Sequence, residues 1–596
     1  MSDIPGPGAL QRPLIKVAGA ALSPELSLEL VDCRVEKALN RPAKATLRFN
    51  DEEYKLIDAT QFEIGKEIQV GFRGDNGEVV TFVFVGEIIS IGLEMGPNDE
   101  PVLMLTAYDA SYKLGRSSVA KAWVKQTYSD ILKSMCGTAG LTFKGDAMPQ
   151  MFEHVLQTMD NAAMLDFIVG RTGTAWYVDE KQLCVVKPEV GTAAATVEMR
   201  KDMRKFRAVA SATDAAQEVT VRGWDAKSKV AVVGKSGTAT KLSDTTMQSG
   251  ARGKATSNYA SKRSTLGARA MSVKEAETIA AALSDRSASD ELIVRGETDG
   301  NPIIDIDKTL NVKGVGTKLS GKYYVTAVEH VFTTRDFRTR FTSGNVAPAH
   351  LVDLLGGGSG PAQWYARGPV VGVVTEVGEG EFIGKVKVKL PSQDANLVTD
   401  WARLVSLGAG PNRGLLLKPH INDEVLVMFE DGDTRRPVVL GGLWNGKDKL
   451  AGPPLIKSGE PQEWLLKSRL GHTITVRDGA EPAKQNVEIA LKDQSIKLYL
   501  GMDKVELIGL QGKTMQLKVG DASITFTANG DIDIKATKIN LTATADLTLK
   551  GVNLKANADV AVAIKGGAGG VEVGGLKVKI AGDTMTEISG GIVKIN

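Results

Sequence analysis

Apolar and polar residues alternate with period two along much of the first 115 residues. Ser27-Leu28-Glu29-Leu30-Val31, Ala45-Thr46-Leu47-Arg48-Phe49 and Ile68-Gln69-Val70-Gly71-Phe72 each put one apolar face against one polar face. That is the pattern of half-buried strands. Residues 80–91 and 102–108 complete a barrel-like set, and Gly74-Asp75-Asn76-Gly77 marks a turn. From 126 the pattern is mixed. Thr127 ahead of Ser129-Asp130-Ile131-Leu132 predicts a short helix running to Gly137 or Gly140. Asp160 and Asn161 predict an N-terminal cap for a helix over 162–170, because their side chains accept the free N–H groups of a first turn. Trp176-Tyr177-Val178 and 183–186 read as a hairpin. Strands return at 218–225, 323–332 and 337–341, suggesting a second barrel beside the first. Ser272-Val273-Lys274-Glu275 has capping-box spacing before the Ala-rich stretch 276–283. Residues 234–270 are rich in Ser, Thr, Gly and Lys without a period, and predict an exposed, partly mobile loop.

A sharper pattern lies at 421–446. Residues 425–429 are an apolar β-prone run, Asp431-Gly432 signals a tight turn, and Val438 to Leu440 return through Pro437. Gly441-Gly442 predicts a close backbone approach or sharp turn, and Trp444 an apolar anchor. Spacing alone says a hairpin of a small β-barrel. Upstream stand Gly384-Lys385-Val386-Lys387-Val388-Lys389-Leu390-Pro391, then Trp401-Ala402-Arg403, then Gly414 and Pro419. Over 364–450 these words, in this order, resemble the oligomer-binding (OB) barrel of contractile-tail spike proteins. That group comprises phage baseplate hub–spikes, the VgrG spikes of type VI secretion and the spikes of extracellular contractile injection systems. Phe84-Val85-Gly86-Glu87-Ile88 and the run from Leu105 to Leu114 are similar to the hub domain of the same family, as is the helix-then-hairpin order over 126–190.

The last 130 residues change character. Tyr499 and Phe526 are almost their only aromatic residues, and no helical period appears. Short apolar pairs recur instead: Ile524/Phe526, Ile532/Ile534, Ile539/Leu541, Leu547/Leu549 and the single Leu554. Ile532, Leu547 and Val562 are fifteen residues apart, as are Ile539 and Leu554, with turn formers such as Asn529-Gly530 and Lys550-Gly551 between. This is a solenoid-like array of very short strands. One such strand cannot build a core alone. A single-chain β-helix spends about twenty residues per coil, so strands this short fit three chains wrapping one another, each giving one wall of a prism. The resemblance implies the same architecture. The alternative is a flat, aggregation-prone β-array. Beyond Val562 the repeat fails and Gly pairs break the strands, which places a tip at 566–596. Val571, Val573, Val578, Ile580, Ile592, Val593 and Ile595 are its candidate cap-binding residues. The resemblance implies a small conical PAAR-type partner there; the alternative is a tip that caps itself.

Composition narrows the function. The chain of 596 residues is too long for one core, so several domains are expected. A net charge of +2 argues against a nucleic-acid or anionic-membrane partner. Cys33, Cys136 and Cys184 are odd in number and scattered, and read as buried reduced thiols. Residues 1–13 hold three prolines and no apolar core, unlike a signal peptide, and no run is long enough to span a membrane. Synthesis in the cytoplasm is expected, with exit by some other route. No catalytic constellation emerges. Gly234-Lys235-Ser236 and Gly512-Lys513-Thr514 have Lys229 and Leu507 where a phosphate loop has glycine. Gly356-Gly357-Gly358-Ser359-Gly360 is followed by Pro361 and reads as a linker. His154, His330, His350, His420 and His472 are isolated, so no metal site is expected, and no cofactor.

The sequence therefore predicts a mainly β chain with some α. A hub of two barrels with helical insertions occupies 1–345, a Gly-rich linker 346–363, an OB barrel 364–450, a neck 451–464 and an intertwined trimeric β-prism 465–596. The resemblance implies a non-enzymatic homotrimeric spike that joins a hexameric inner tube protein and baseplate proteins to a tip, with effector cargo as a further partner. It would be assembled into a contractile particle and delivered outside the cell or into a target envelope. Two readings compete. One is a cell-wall hydrolase spike, for which the fifteen or so residues between barrel and needle leave no room. The other is a β-solenoid adhesin, which would normally need an export signal.

Overall fold

The computed structural model describes residues 12–595 except 74–78, 96–99, 117–119, 147, 149–150, 213–214, 260–261, 266–269, 347–367, 450–455, 458 and 511. The turn at Gly74-Asp75-Asn76-Gly77, the Gly-rich linker and part of the neck lie outside the described residues. The chain divides into two compact units, 1–449 and 450–596.

The first unit is built on an eleven-stranded sheet. Its order is Met203–Ala210, Leu292–Asp299, Phe337–Ser343, Ala327–Thr333, Leu30–Ala38, Lys44–Asn50, Val102–Tyr108, Val80–Glu94, Glu67–Arg73, Leu14–Val17 and Ala20–Ala21. Alternation explains it. In Lys44–Asn50 the side chains of Ala45, Leu47 and Phe49 are buried while Lys44, Thr46 and Arg48 face outward. Two cores pack on the sheet, one around Val35, Leu47, Phe49 and Phe332, the other around Val294, Leu310, Tyr323 and Phe341. The two halves read from the sequence as two adjacent barrels share this one sheet among the described residues. The reason is that Leu30–Ala38 is paired on both edges, Val35 lying opposite Ala45 on one side and His330 on the other. Cys33, Cys136 and Cys184 are free and buried.

Five α-helices occur among the described residues: α1 Pro24–Leu28, α2 Tyr128–Thr138, α3 Asn161–Thr172, α4 Thr246–Tyr259 and α5 Val273–Asp290. α2 starts at a reciprocal capping box between Thr127 and Asp130, and α3 at an Asp160 cap, as the sequence predicts. Gly173 ends α3 with φ +70. Two expectations are corrected. Ser27 and Leu28 lie in α1 rather than in a strand, because Ser23 caps the turn and Pro24 opens it. The stretch 234–270 is no continuous loop, since it holds α4 and the strand Lys262–Thr265. Its anchor is Gln248, a buried polar residue that a periodicity of apolar positions does not register. Gln248 Nε2 donates to the Ala288 carbonyl of α5 at 3.0 Å, and its Oε1 accepts from Ser243 N at 3.0 Å.

Val370–Val377, Lys385–Lys389, Ala402–Leu404, Pro437–Gly442 and Glu424–Phe429 form a closed barrel. Val374, Val386, Val388, Ala402, Val425, Val427 and Phe429 fill it. The tight turn falls at Asp431 and Gly432, both with positive φ. Trp444 is not an anchor: it is 62% exposed, beyond the last strand. Gly441 has no atom near enough to require a missing Cβ, so no close approach occurs there.

The second unit opens as an antiparallel meander, Glu463–Lys467, Thr473–Asp478, Gln485–Ala490, Ile496–Gly501 and Val505–Gly509, followed by Met515–Val519, Ala522–Phe526 and Ile532–Lys535. Beyond Lys535 no described residue is in a strand.

Candidate functional site

Two features distinguish the molecule: a buried ionic junction where the barrel meets the hub, and an uncovered apolar array in the second unit. The junction is built on the turn that closes the barrel's last hairpin. Asp433 and Arg435, two residues apart, form a bidentate pair, with Arg435 Nη2 donating to Asp433 Oδ2 at 2.8 Å and Nε to Oδ1 at 3.1 Å. Arg435 Nη1 reaches across to Glu275 Oε1 at 2.7 Å. Glu275 sits in the first turn of α5, capped by Ser272, and also accepts from Arg171 Nη2 of α3. The expected capping box is thus half formed. The Ser272 hydroxyl accepts from Glu275 N, but the Glu275 carboxylate accepts from Met271 N at 2.7 Å and turns to the two arginines.

All four side chains are nearly excluded from solvent. Two cations face two anions, so the cluster is balanced. Burial alone pushes the Glu275 carboxyl up, but Arg435 and Arg171 outweigh it and hold the group below the usual carboxylate range. Asp433 follows the same logic: burial raises it, and the Arg435 charge and hydrogen bonds bring it down. Further contacts lock the junction. Thr434 Oγ1 donates to the Leu156 carbonyl at 3.1 Å, Arg436 Nη2 to the Trp224 carbonyl at 2.7 Å, and the Leu156 side chain joins the barrel core. Removing one of these charges would leave its partners short of counter-charge in a dry site.

The motif residues of the barrel are placed in turn. Val386 and Val388 point inward, Trp401 stacks on Phe382 with ring centroids 4.8 Å apart, and Arg403 pairs with Glu430. Gly414 has φ +142 and no room for a Cβ beside the Gly408 carbonyl. Between Ala402–Leu404 and Glu424–Phe429 an arm exposes Val405, Leu407, Leu415, Leu416, Leu417 and Ile421, with Leu407 97% exposed.

Of the ten residues read as a core of the array, the chain brings four together by strand pairing. Ile524 lies opposite Ile534, and Phe526 opposite Ile532. Ile539, Leu541, Leu547, Leu549, Leu554 and Val562 have no strand partner and stand exposed. So do the tip residues Val571, Val573, Val578, Ile580, Ile592, Val593 and Ile595. The upstream meander is scarcely better covered: Trp464, Leu466, Ile474, Ile489, Leu500 and Leu507 are exposed. Thr475, Ala490 and Ser495 are the buried residues among those described in the unit.

No group of His, Cys, Asp and Glu suited to a metal occurs among the described residues, and no helix of theirs is long and apolar enough to cross a membrane. The junction is what sequence reading missed. Glu275 and Arg435 are 160 residues apart, and the sole local signal was a charged Asp-x-Arg within a turn.

Residues 370–444 match the model of the type VI secretion system/phage-baseplate injector OB domain. The fold is similar to that of a chain in the lidded Francisella PdpA–VgrG complex, with 10% identity, 84% of this chain and 80% of that chain covered, and a TM-score of 0.50. An Escherichia coli type VI secretion component, described as structurally similar to the bacteriophage tail proteins gp27 and gp5, aligns at 12% identity over 72% of this chain and 99% of its own, TM-score 0.45. The 43 kDa tail protein of prophage MuSo2 from Shewanella oneidensis aligns at 12% identity over 56% and 99%, TM-score 0.43. No curated protein matches the chain. The likeness is one of fold, together with an OB-domain match over the barrel. The model of the Alg8 N-terminal domain matches residues 9–334, more than half of the chain, and the chain belongs to that family.

Proposed function

We propose that this chain is the homotrimeric spike at the centre of a contractile injection baseplate, and that its work is mechanical rather than catalytic. The observation that carries this reading is the second unit, whose apolar side chains alternate along the chain and find almost no cover within one copy. Two further copies would supply strand partners for every edge and bury the paired apolar positions on a common axis. The apolar arm of the barrel supplies a second contact between copies. The hub, 1–345, meets a hexameric inner tube ring and baseplate proteins, and the junction transmits thrust from hub to barrel without yielding. A PAAR-type protein caps the tip at 566–596, and effector cargo rides with the spike. The particle carries it out of the cell or into the target envelope.

Light scattering on the purified full chain tests the proposal. A mass of three chains is expected, and a truncation after the barrel, left with the arm contact alone, should dissociate on dilution. A full-length monomer with a protease-resistant second unit would overturn it.

A further inference from the structure

The outward face of the large sheet carries an open groove of about 1170 Å³ in the hub, a feature the spike reading does not use. Strands Leu30–Ala38, Met203–Ala210, Leu292–Asp299, Ala327–Thr333 and Phe337–Ser343 supply its floor. Its carboxylates are already engaged. Glu297 is buried and holds Arg338 at 2.8 Å, Arg340 at 3.0 Å and Lys205 at 3.3 Å. Glu329 pairs with Arg34 and Arg340, and Glu36 with Lys44. The cations outnumber these acids. Arg41, Arg207 and Arg295 also line the groove, stand exposed, and have no anionic partner among the described residues.

Arg207 and Arg295 are, moreover, direct cross-strand neighbours. Side chains so placed have their Cβ atoms about 5 Å apart, and like charges there destabilise a sheet. Among the described residues no carboxylate pairs with either arginine, whereas Glu297 and Glu329 on the same face are held in networks. Two adjacent guanidinium groups offer bidentate sites for carboxylates.

We propose that this groove binds an extended, carboxylate-rich segment of a partner polypeptide, with Arg207 and Arg295 as the central anion contacts and Arg41 as an outlying one. The interspersed Glu36, Glu297 and Glu329 favour a peptide of discrete acidic side chains over a nucleic-acid strand, whose unbroken phosphate row would meet them as well. The inference does not depend on the trimeric spike reading.

The test uses the full chain and a fluorescent peptide of alternating glutamate and serine, followed by anisotropy at low salt, with a labelled single-stranded oligonucleotide as comparison. The expected result is saturable, salt-sensitive peptide binding that weakens by about tenfold or more in Arg207→Gln/Arg295→Gln. Melting temperature and mass should stay those of the parent chain. Arg222→Gln, an exposed arginine outside the groove lining, should leave binding unchanged. Absent peptide binding, equal binding by the double variant, tighter oligonucleotide binding, or a change in mass on substitution would each overturn the proposal. The last result would assign the groove to a second copy of the chain.

Discussion

Arg435 joins the barrel to the hub, and its value lies in what its loss would leave behind. Arg435→Ala would leave Glu275 and Asp433 short of counter-charge in a dry site, and a loss of about 3–5 kcal/mol in unfolding free energy of the first unit is expected. Arg435→Lys should recover only part, because an ammonium cannot serve two carboxylates in fork geometry. Denaturant unfolding of the full chain measures both, and an alanine variant as stable as the parent would contradict the coupling role. The partnership was illegible beforehand because pairing across 160 residues leaves no local pattern.

His330 gives a second prediction at this scale. It is fully buried, and its Nδ1 lies 3.0 Å from Thr339 Oγ1. Burial pushes it down from 6.5 to about 4. The unfolded chain therefore takes up a proton at His330 near 6.5 while the native hub refuses it until about 4. Stability is full above 6.5 and falls progressively between those values. His330→Gln should flatten that part of the melting-temperature profile, and an unchanged slope would refute the assignment. Glu275 and Asp433 act lower: both are depressed in the fold, so their contribution is present above their ordinary 4.5 and 3.8 and is lost as pH falls below them.

At the level of elements, α5 shows how much local pattern carries. Ser272 marks its start in the sequence as in the structure, but the helix runs on to Asp290, past the Ala-rich core of the signal. Ala276, Ile279 and Ala280 bury against Val221 and Val232. Packing is close enough that a Cβ on Gly234 would stand 2.3 Å from the Ala276 carbonyl carbon. Gly234→Ala should therefore force α5 off its strand and cost about 1–3 kcal/mol, read as a lower melting temperature. An unaffected melt would show that the contact relaxes without cost. α4 was unreadable for the opposite reason. It is held by the buried polar Gln248, and periodicity counts only apolar positions. Strands 44–50, 67–73 and 102–108 were legible because one face is buried throughout, and α1 was not, because five residues are too few to show a period.

For the whole molecule, the sequence signals of barrel and hub are local and strong. The second unit, on the proposed reading, takes its architecture from several copies, which no single chain displays. Its repeat of apolar pairs is plain in the sequence, yet in one copy Leu549 is 62% exposed and Ile595 86% exposed. The proposed cap offers one check: truncation after Gly590 removes Ile592, Val593 and Ile595, and co-purification of a PAAR-type protein should drop sharply. Full-strength capture would mean that the last strand is not its platform.

The central claim is that the paired apolar positions face a common axis between copies. Disulfide trapping tests it most directly. Ile534→Cys and Leu549→Cys should each link copies on mild oxidation, giving covalent dimers on a denaturing gel, because a threefold axis brings these positions together. Lys535→Cys and Lys550→Cys, one residue on and facing outward, should remain monomeric under the same treatment. Linkage at the lysine positions but not at the apolar ones, or linkage at none of the four, would contradict the account.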